Sequence, residues 1–190
     1  YDAQNGLAIG NPVAGKFGIA KTTNGGGAWP TATGAPLSNG SERINRGAVY
    51  FRGDAVWFGT SSGRVISSLN RGTSWSQGSI GASGSVIVSV AFKDSSNGIV
   101  LYRTGIANDA PYRIASTSNG GANWKHGAAN LALGISPVRV DAGDDHHLLI
   151  GSNGEVFGSD NNGTDWQPVL SQDAGVVLTA KAMTLDRPSI

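Results

Sequence analysis

Asp144-Asp145-His146-His147 puts four metal-ligand side chains in a row. Carboxylate and imidazole are common ligands of divalent ions. Adjacent residues of a strand, however, point to opposite faces, so the two histidines do not converge on one ion. The segment reads as a turn entering a strand, and no metal or other cofactor is expected. The second chemistry open to the chain is a carboxylate pair across a cleft, the arrangement of glycoside hydrolysis. Asp54, Asp94, Asp144 and Asp145 are available, yet each falls at a turn position that recurs along the chain. The two glutamates are Glu42, in a polar loop, and Glu155, at a hairpin before Val156. His126 reads as a solvated strand residue. Arg43, Arg46 and Arg52 lie close together in sequence and form a candidate cationic binding patch. No residue is assigned a catalytic role, and the sequence favours a non-catalytic protein.

Composition narrows the setting. The 190 residues suffice for one domain with a sizeable core, and 29 glycines with 14% charged residues indicate many short turns. Lysine and arginine total 14 against 13 acidic residues, a net charge of +1, and no basic run marks a nucleic-acid footprint. No apolar stretch approaches the roughly 18 residues of a membrane span. Cysteine is absent, which excludes disulfides and thiolate metal sites and leaves the compartment open. Asn24-Gly25-Gly26-Gly27 lacks the strand-loop-helix context and the lysine of a phosphate loop. The sequons Asn39-Gly40-Ser41 and Asn162-Gly163-Thr164 are read as incidental.

The elements that must position any site announce themselves through a repeat. Thr22-Thr23-Asn24-Gly25-Gly26-Gly27-Ala28-Trp29 is echoed at 68–75, 117–124 and 159–166. The shared skeleton is [Ser/Thr]-x-Asn-x-Gly-x-x-Trp, carried by Thr22, Asn24, Gly26 and Trp29, by Ser68, Asn70, Gly72 and Trp75, by Thr117, Asn119, Gly121 and Trp124, and by Ser159, Asn161, Gly163 and Trp166. Its tryptophans are 46, 49 and 42 residues apart, the period of a repeat architecture. Before each later copy come three short apolar runs separated by turns; in the second unit these are 48–51, Val56-Trp57-Phe58 and 64–67. Such runs, bounded by Gly, Asn and Asp, are antiparallel strands joined by tight hairpins. Four strands in about 45 residues is a β-propeller blade. The expected fold is therefore all-β, a propeller of four-stranded antiparallel blades with four blades visible.

The repeated phrase makes sense as the hairpin between the third and fourth strands. The asparagine can accept from backbone N–H groups two residues on. The glycine supplies a positive φ. The tryptophan returns onto the blade and buries its flat surface. Every fixed position is thus explained structurally.

These four phrases resemble Asp-box (BNR) repeats, found at the periphery of propellers such as sialidases, some glycoside hydrolases and sortilin-type receptors. The acidic position is asparagine in all four copies. The fuller unit, and Asp2-Ala3-Gln4-Asn5-Gly6-Leu7-Ala8-Ile9-Gly10-Asn11-Pro12-Val13-Ala14-Gly15-Lys16-Phe17 especially, is similar to the Ycf48-like, photosystem II assembly factor-like proteins of bacteria. That resemblance implies a binding or assembly module in an exported protein, secreted or periplasmic, and in that family an arginine patch is associated with partner binding. The sialidase alternative would need an arginine triad, a Tyr–Glu nucleophile pair, an acid/base Asp and an N-terminal Arg-Ile-Pro motif. The last is absent.

The units are read as 1–40, 41–84, 85–134 and 135–175, with 176–185 a further strand and Asp186 at its turn. That strand either completes the first blade of a closed four-bladed ring or begins another blade of a larger, about seven-bladed ring; the resemblance favours the larger ring. Open strand edges would then invite missing blades or self-association. A protein or glycan ligand is expected at the channel face, on the loops 41–46, 52–54, 93–97 and 141–145. The alternatives carried forward are an Asp-box hydrolase and a self-assembling structural subunit.

Overall fold

The computed structural model describes residues 2–105, 110–127, 137–143, 145–152 and 154–170. Asp144 and the expected strand at 176–185 with Asp186 lie outside them. The described chain contains strands and turns, with no helix among its described residues and so none long and apolar enough to cross a membrane.

Fourteen strands form four antiparallel sheets in chain order. Sheet 1 pairs β1 (Gly6–Val13) with β2 (Lys16–Thr22), and isolated bridges tie β2 to Thr31 and Leu37. Sheet 2 runs β3 (Ile44–Arg52), β4 (Ala55–Thr60), β5 (Arg64–Ser68), β6 (Ser76–Ser79). Sheet 3 is β7 (Ser85–Phe92), β8 (Gly98–Thr104), β9 (Tyr112–Thr117), β10 (Lys125–His126). Sheet 4 is β11 (Pro137–Ala142), β12 (His147–Gly151), β13 (Val156–Ser159), β14 (Gln167–Leu170). The apolar runs expected from sequence are the first three strands of each full sheet. Of the fourth strands, β6 and β10 are short and polar, so only the hairpin signal before them could reveal them.

The sheets stand radially. β3 packs beside β7 and β7 beside β11. Asn45 Nδ2 donates to Ile87 O at 2.9 Å, and Ser89 Oγ donates to Val140 O at 3.3 Å. Tyr50 OH reaches from sheet 2 to Ala142 O of sheet 4 at 3.0 Å, so the first strands converge. Between sheets lies the core. Trp57 stacks on Phe92 with centroids 4.1 Å apart, and Phe17 and Phe58 meet edge to face at 5.0 Å. Fully burying side chains of this size stabilises by about 1.5–3 kcal/mol each.

The repeated hairpin is built alike in all four sheets, with one correction to the sequence reading. The asparagine Oδ1 accepts from the N–H four residues on, those of Ala28, Ser74, Asn123 and Asp165, at 2.9–3.0 Å. The N–H two residues on, that of Gly26, Gly72, Gly121 or Gly163, goes to the Ser/Thr hydroxyl at 2.8–3.0 Å. That hydroxyl donates in turn to the asparagine Oδ1. The fixed glycines have φ between 70° and 96°, and the indole edge of each tryptophan lies over its own glycine. The four tryptophans are therefore equivalent in place. Trp29, 46% exposed, is the most open of them.

Candidate functional site

Every radial sheet has two ends. At one end lie the four repeated hairpins and the turns that close the first two strands: 53–54, 93–97 and, of the last, residues 143, 145 and 146. Gly25 N donates to Gln4 O, Arg71 N to Asp54 O and Gly120 N to Ser96 O, which binds hairpin to turn in three sheets. At the other end the chain enters β3, and the turn 61–63 closes β4 onto β5.

The three candidate arginines divide between these ends. Arg43 precedes β3 and is exposed; its N–H donates to Ser61 Oγ at 3.0 Å. Arg46, also exposed, sits early in β3 within the irregular stretch between Ile44 and Val49. Arg52 is the last residue of β3. Six residues of strand, at about 3.3 Å each, put it up to about 20 Å from Arg46. Of the loops expected to share the channel face, 41–46 thus lies at one end and 52–54, 93–97 and the described part of 141–145 at the other.

The carboxylates among the described residues are largely tied into the scaffold. Asp2 and Asp94 each accept two backbone N–H groups in their turns. Side-chain and backbone hydrogen bonds from Asn5, then from Gln4, lower the Asp2 pKa. For Asp94 the upward push of burial is outweighed by hydrogen bonds from Asn97 and Ser96. Asp2 and Asp54 meet at one arginine, with Arg71 Nη1 3.5 Å from Asp2 and Nε 2.7 Å from Asp54. A general acid needs its pKa raised, the reverse of what the hydrogen bonds do to Asp2.

Glu42 departs from its reading as a polar-loop residue. It is buried, because Arg64 from β5 lies against it, with Nε at 2.9 Å from Oε1 and Nη2 on Oε2. Ser62 donates to Oε1 and the Asn39 N–H to Oε2. Burial raises the Glu42 pKa, but Arg64, Ser62, Thr60 and the Asn39 N–H overcome it and bring it down to about 2. Arg64 also bonds Gln77 and, at 2.8 Å, Leu37 O, so one guanidinium joins sheet 1, the entry to β3 and sheet 2. Sequence reasoning missed this cluster, since nothing local pairs charges 22 residues apart.

His146 and His147 do face opposite ways. His146 is exposed and meets Asp160 at 2.7 Å. His147 is 1% exposed, its Nε2 buried with no partner among the described residues. Burial, then Lys93, lowers its pKa to about 4, against a smaller opposing pull from Asp94. The unfolded chain, titrating near 6.5, binds the proton that the fold refuses. The stability in question is complete above pH 6.5 and is lost as pH falls toward 4, on the order of 3 kcal/mol. His147→Val, copying Val56 at the equivalent place in sheet 2, is expected to flatten that slope; urea unfolding at pH 7 and pH 4.5 measures it. His126, expected to be a solvated strand residue, is exposed in β10 and also bonds Tyr102 OH through Nδ1 at 2.8 Å. No group of three or more metal-ligating residues occurs among the described residues.

No family model matches the chain, and no curated protein matches it. Solved structures do. YCF48 from Cyanidioschyzon merolae superposes with TM-score 0.54 at 19% identity, covering 71% of this chain and 39% of that one. A Trypanosoma rangeli sialidase gives 0.56 at 14% identity, covering 86% and 35%. The GH74 xyloglucanase from Xanthomonas campestris gives 0.54 at 15%, covering 92% and 30%. The chain spans under two fifths of each of these proteins. At such identities the likeness concerns architecture alone: this chain folds as radial blades of an Asp-box-type β-propeller.

Proposed function

We propose that the chain is a non-catalytic binding or assembly module of an exported bacterial protein, secreted or periplasmic, taking an acidic partner segment at its arginines. The carrying observation is the contrast in commitment between charges. Glu42, Asp2 and Asp94 are consumed by turns or buried pairing, while Arg43 and Arg46 stand exposed at the entry to β3. Exposed guanidinium groups suit carboxylates, which they bind bidentately. Asp-box propellers also include hydrolases, but no observation here favours that alternative.

The test uses an acidic twelve-residue probe peptide followed by fluorescence anisotropy. Arg43→Ala with Arg46→Ala should weaken binding about 3–10-fold, the effect of two exposed charge contacts, with unchanged thermal unfolding. Arg52→Ala, up to about 20 Å away, should leave it unaltered. Equal affinity in the double variant removes the patch; loss only on Arg52→Ala moves the site to the opposite end. Recovery of the protein in the cytoplasmic fraction alone would reject export.

A further inference from the structure

The junctions between sheets repeat, but their contents do not. The residue before each hairpin's Ser/Thr pairs with the second strand: Lys21 with Leu7, Ser67 with Trp57, Ser116 with Ile99, Gly158 with Leu148. In sheets 1 to 3 these positions face the hairpin of the following sheet. Between sheets 1 and 2, Lys21 crosses the gap and its Nζ donates to Thr73 Oγ1 at 3.4 Å. Between sheets 3 and 4, Asn162 crosses it and its Nδ2 donates to Thr117 O at 3.0 Å. Between sheets 2 and 3 neither device is present. Ser67 stands where sheet 1 has Lys21, and Gly120 where sheet 4 has Asn162.

A cleft of about 400 Å³ results, within the usual range for small-ligand sites. Ser67 and Ser76 form one wall, Ser95 and Ser96 from the β7–β8 turn the other, and Gly120 and Gly121 lie on its hairpin side. None of the four hydroxyls has a hydrogen-bond partner among the described residues. No charged side chain lines the cleft, while Leu69 and Ala122 add apolar surface. An ionic ligand would lose hydration there without meeting a countercharge. Each serine hydroxyl donates or accepts as its rotor turns, which suits a ligand whose own hydroxyls do the same.

We infer that the cleft between sheets 2 and 3 is a binding site for a neutral saccharide. It is separate from the arginines at the entry to β3 and stands without them. Lactose, maltose and cellobiose are the probes, with N-acetylneuraminic acid as the anionic control, each titrated into the whole chain while backbone amide resonances are followed. At least one neutral sugar should shift Ser95, Ser96, Gly120 and Gly121 together and saturate by about 20 mM, some twenty times a 1 mM dissociation constant. Ser67→Lys, which restores the filling of sheet 1, should weaken that sugar at least tenfold. Ser76→Lys, at an exposed position, should do the same and serves if the first variant does not fold. Absence of shifts with all three sugars overturns the assignment. So does a response to the anionic control alone, or unaltered affinity in folded Ser76→Lys.

Discussion

Gly78→Ala is expected to cost about 2–4 kcal/mol, at or above the usual range for overpacking a tight contact. Gly78 lies in β6 at the junction with sheet 3. A methyl carbon there would overlap Gly121 O, far inside the carbon–oxygen contact distance, and lie 3.0 Å from Ala122 O. Those are backbone atoms of the third hairpin. The hairpin is held by Thr117 and Asn119 and by Trp57 Nε1, which donates to Gly120 O at 3.3 Å, so it cannot yield by a rotamer change. Gly127 is the internal control. It holds the corresponding place in sheet 3, its N–H donating to Ile114 O; an added carbon would lie 3.3 Å from that same Ile114 O, a tight contact, but 4.0 Å from Gly163 O of the next hairpin. Gly127→Ala should therefore cost well under half as much. Urea unfolding of the two variants decides it, and equal costs would mean that close approach of the hairpin does not constrain Gly78.

The same contrast shows what a repeat can and cannot say in advance. The phrase [Ser/Thr]-x-Asn-x-Gly-x-x-Trp fixes a local hydrogen-bond circuit, so four hairpins and the strands around them were legible from residue types and spacing alone. The circuit's wiring was half legible: the partner of the asparagine lies four residues on because the hydroxyl already holds the nearer N–H. Which glycine is indispensable was not legible, because Gly78 and Gly127 differ only in how near a neighbouring sheet comes.

The candidate site was less readable for the same reason. Arg43, Arg46 and Arg52 are neighbours in sequence, but β3 carries Arg52 to the opposite end of its sheet. Side-chain types could not tell His146, exposed on Asp160, from His147, buried beside Lys93; strand alternation said only that the two face opposite ways. The serine-lined cleft had no sequence signal at all. It arises because two positions that carry a bridging side chain at other junctions carry Ser67 and Gly120 here.

Arg64→Met should be the most damaging single change on the surface between sheets 1 and 2, at about 3–5 kcal/mol, because it strands Glu42 as a buried, unpaired charge. In the native chain Glu42 titrates near 2 rather than at its unfolded 4.5. Its contribution is therefore complete above pH 4.5 and is lost as pH falls toward 2. Without the guanidinium, burial is opposed only by the hydrogen bonds from Ser62, Thr60 and the Asn39 N–H, so that pKa should rise and the acid lability of the variant should shrink. Glu42→Gln should be destabilising as well, since it leaves Arg64 facing Leu37 O and Gln77 with no counterion. Glu42→Leu combined with Arg64→Met should recover much of the loss, as apolar replacement of a buried pair often does. Unfolding free energies of Glu42→Leu, Arg64→Met and their combination from pH 7 to pH 3 form a complete cycle. If the single changes prove additive and the acid slope persists in Arg64→Met, the two side chains are not coupled and the low pKa has another origin.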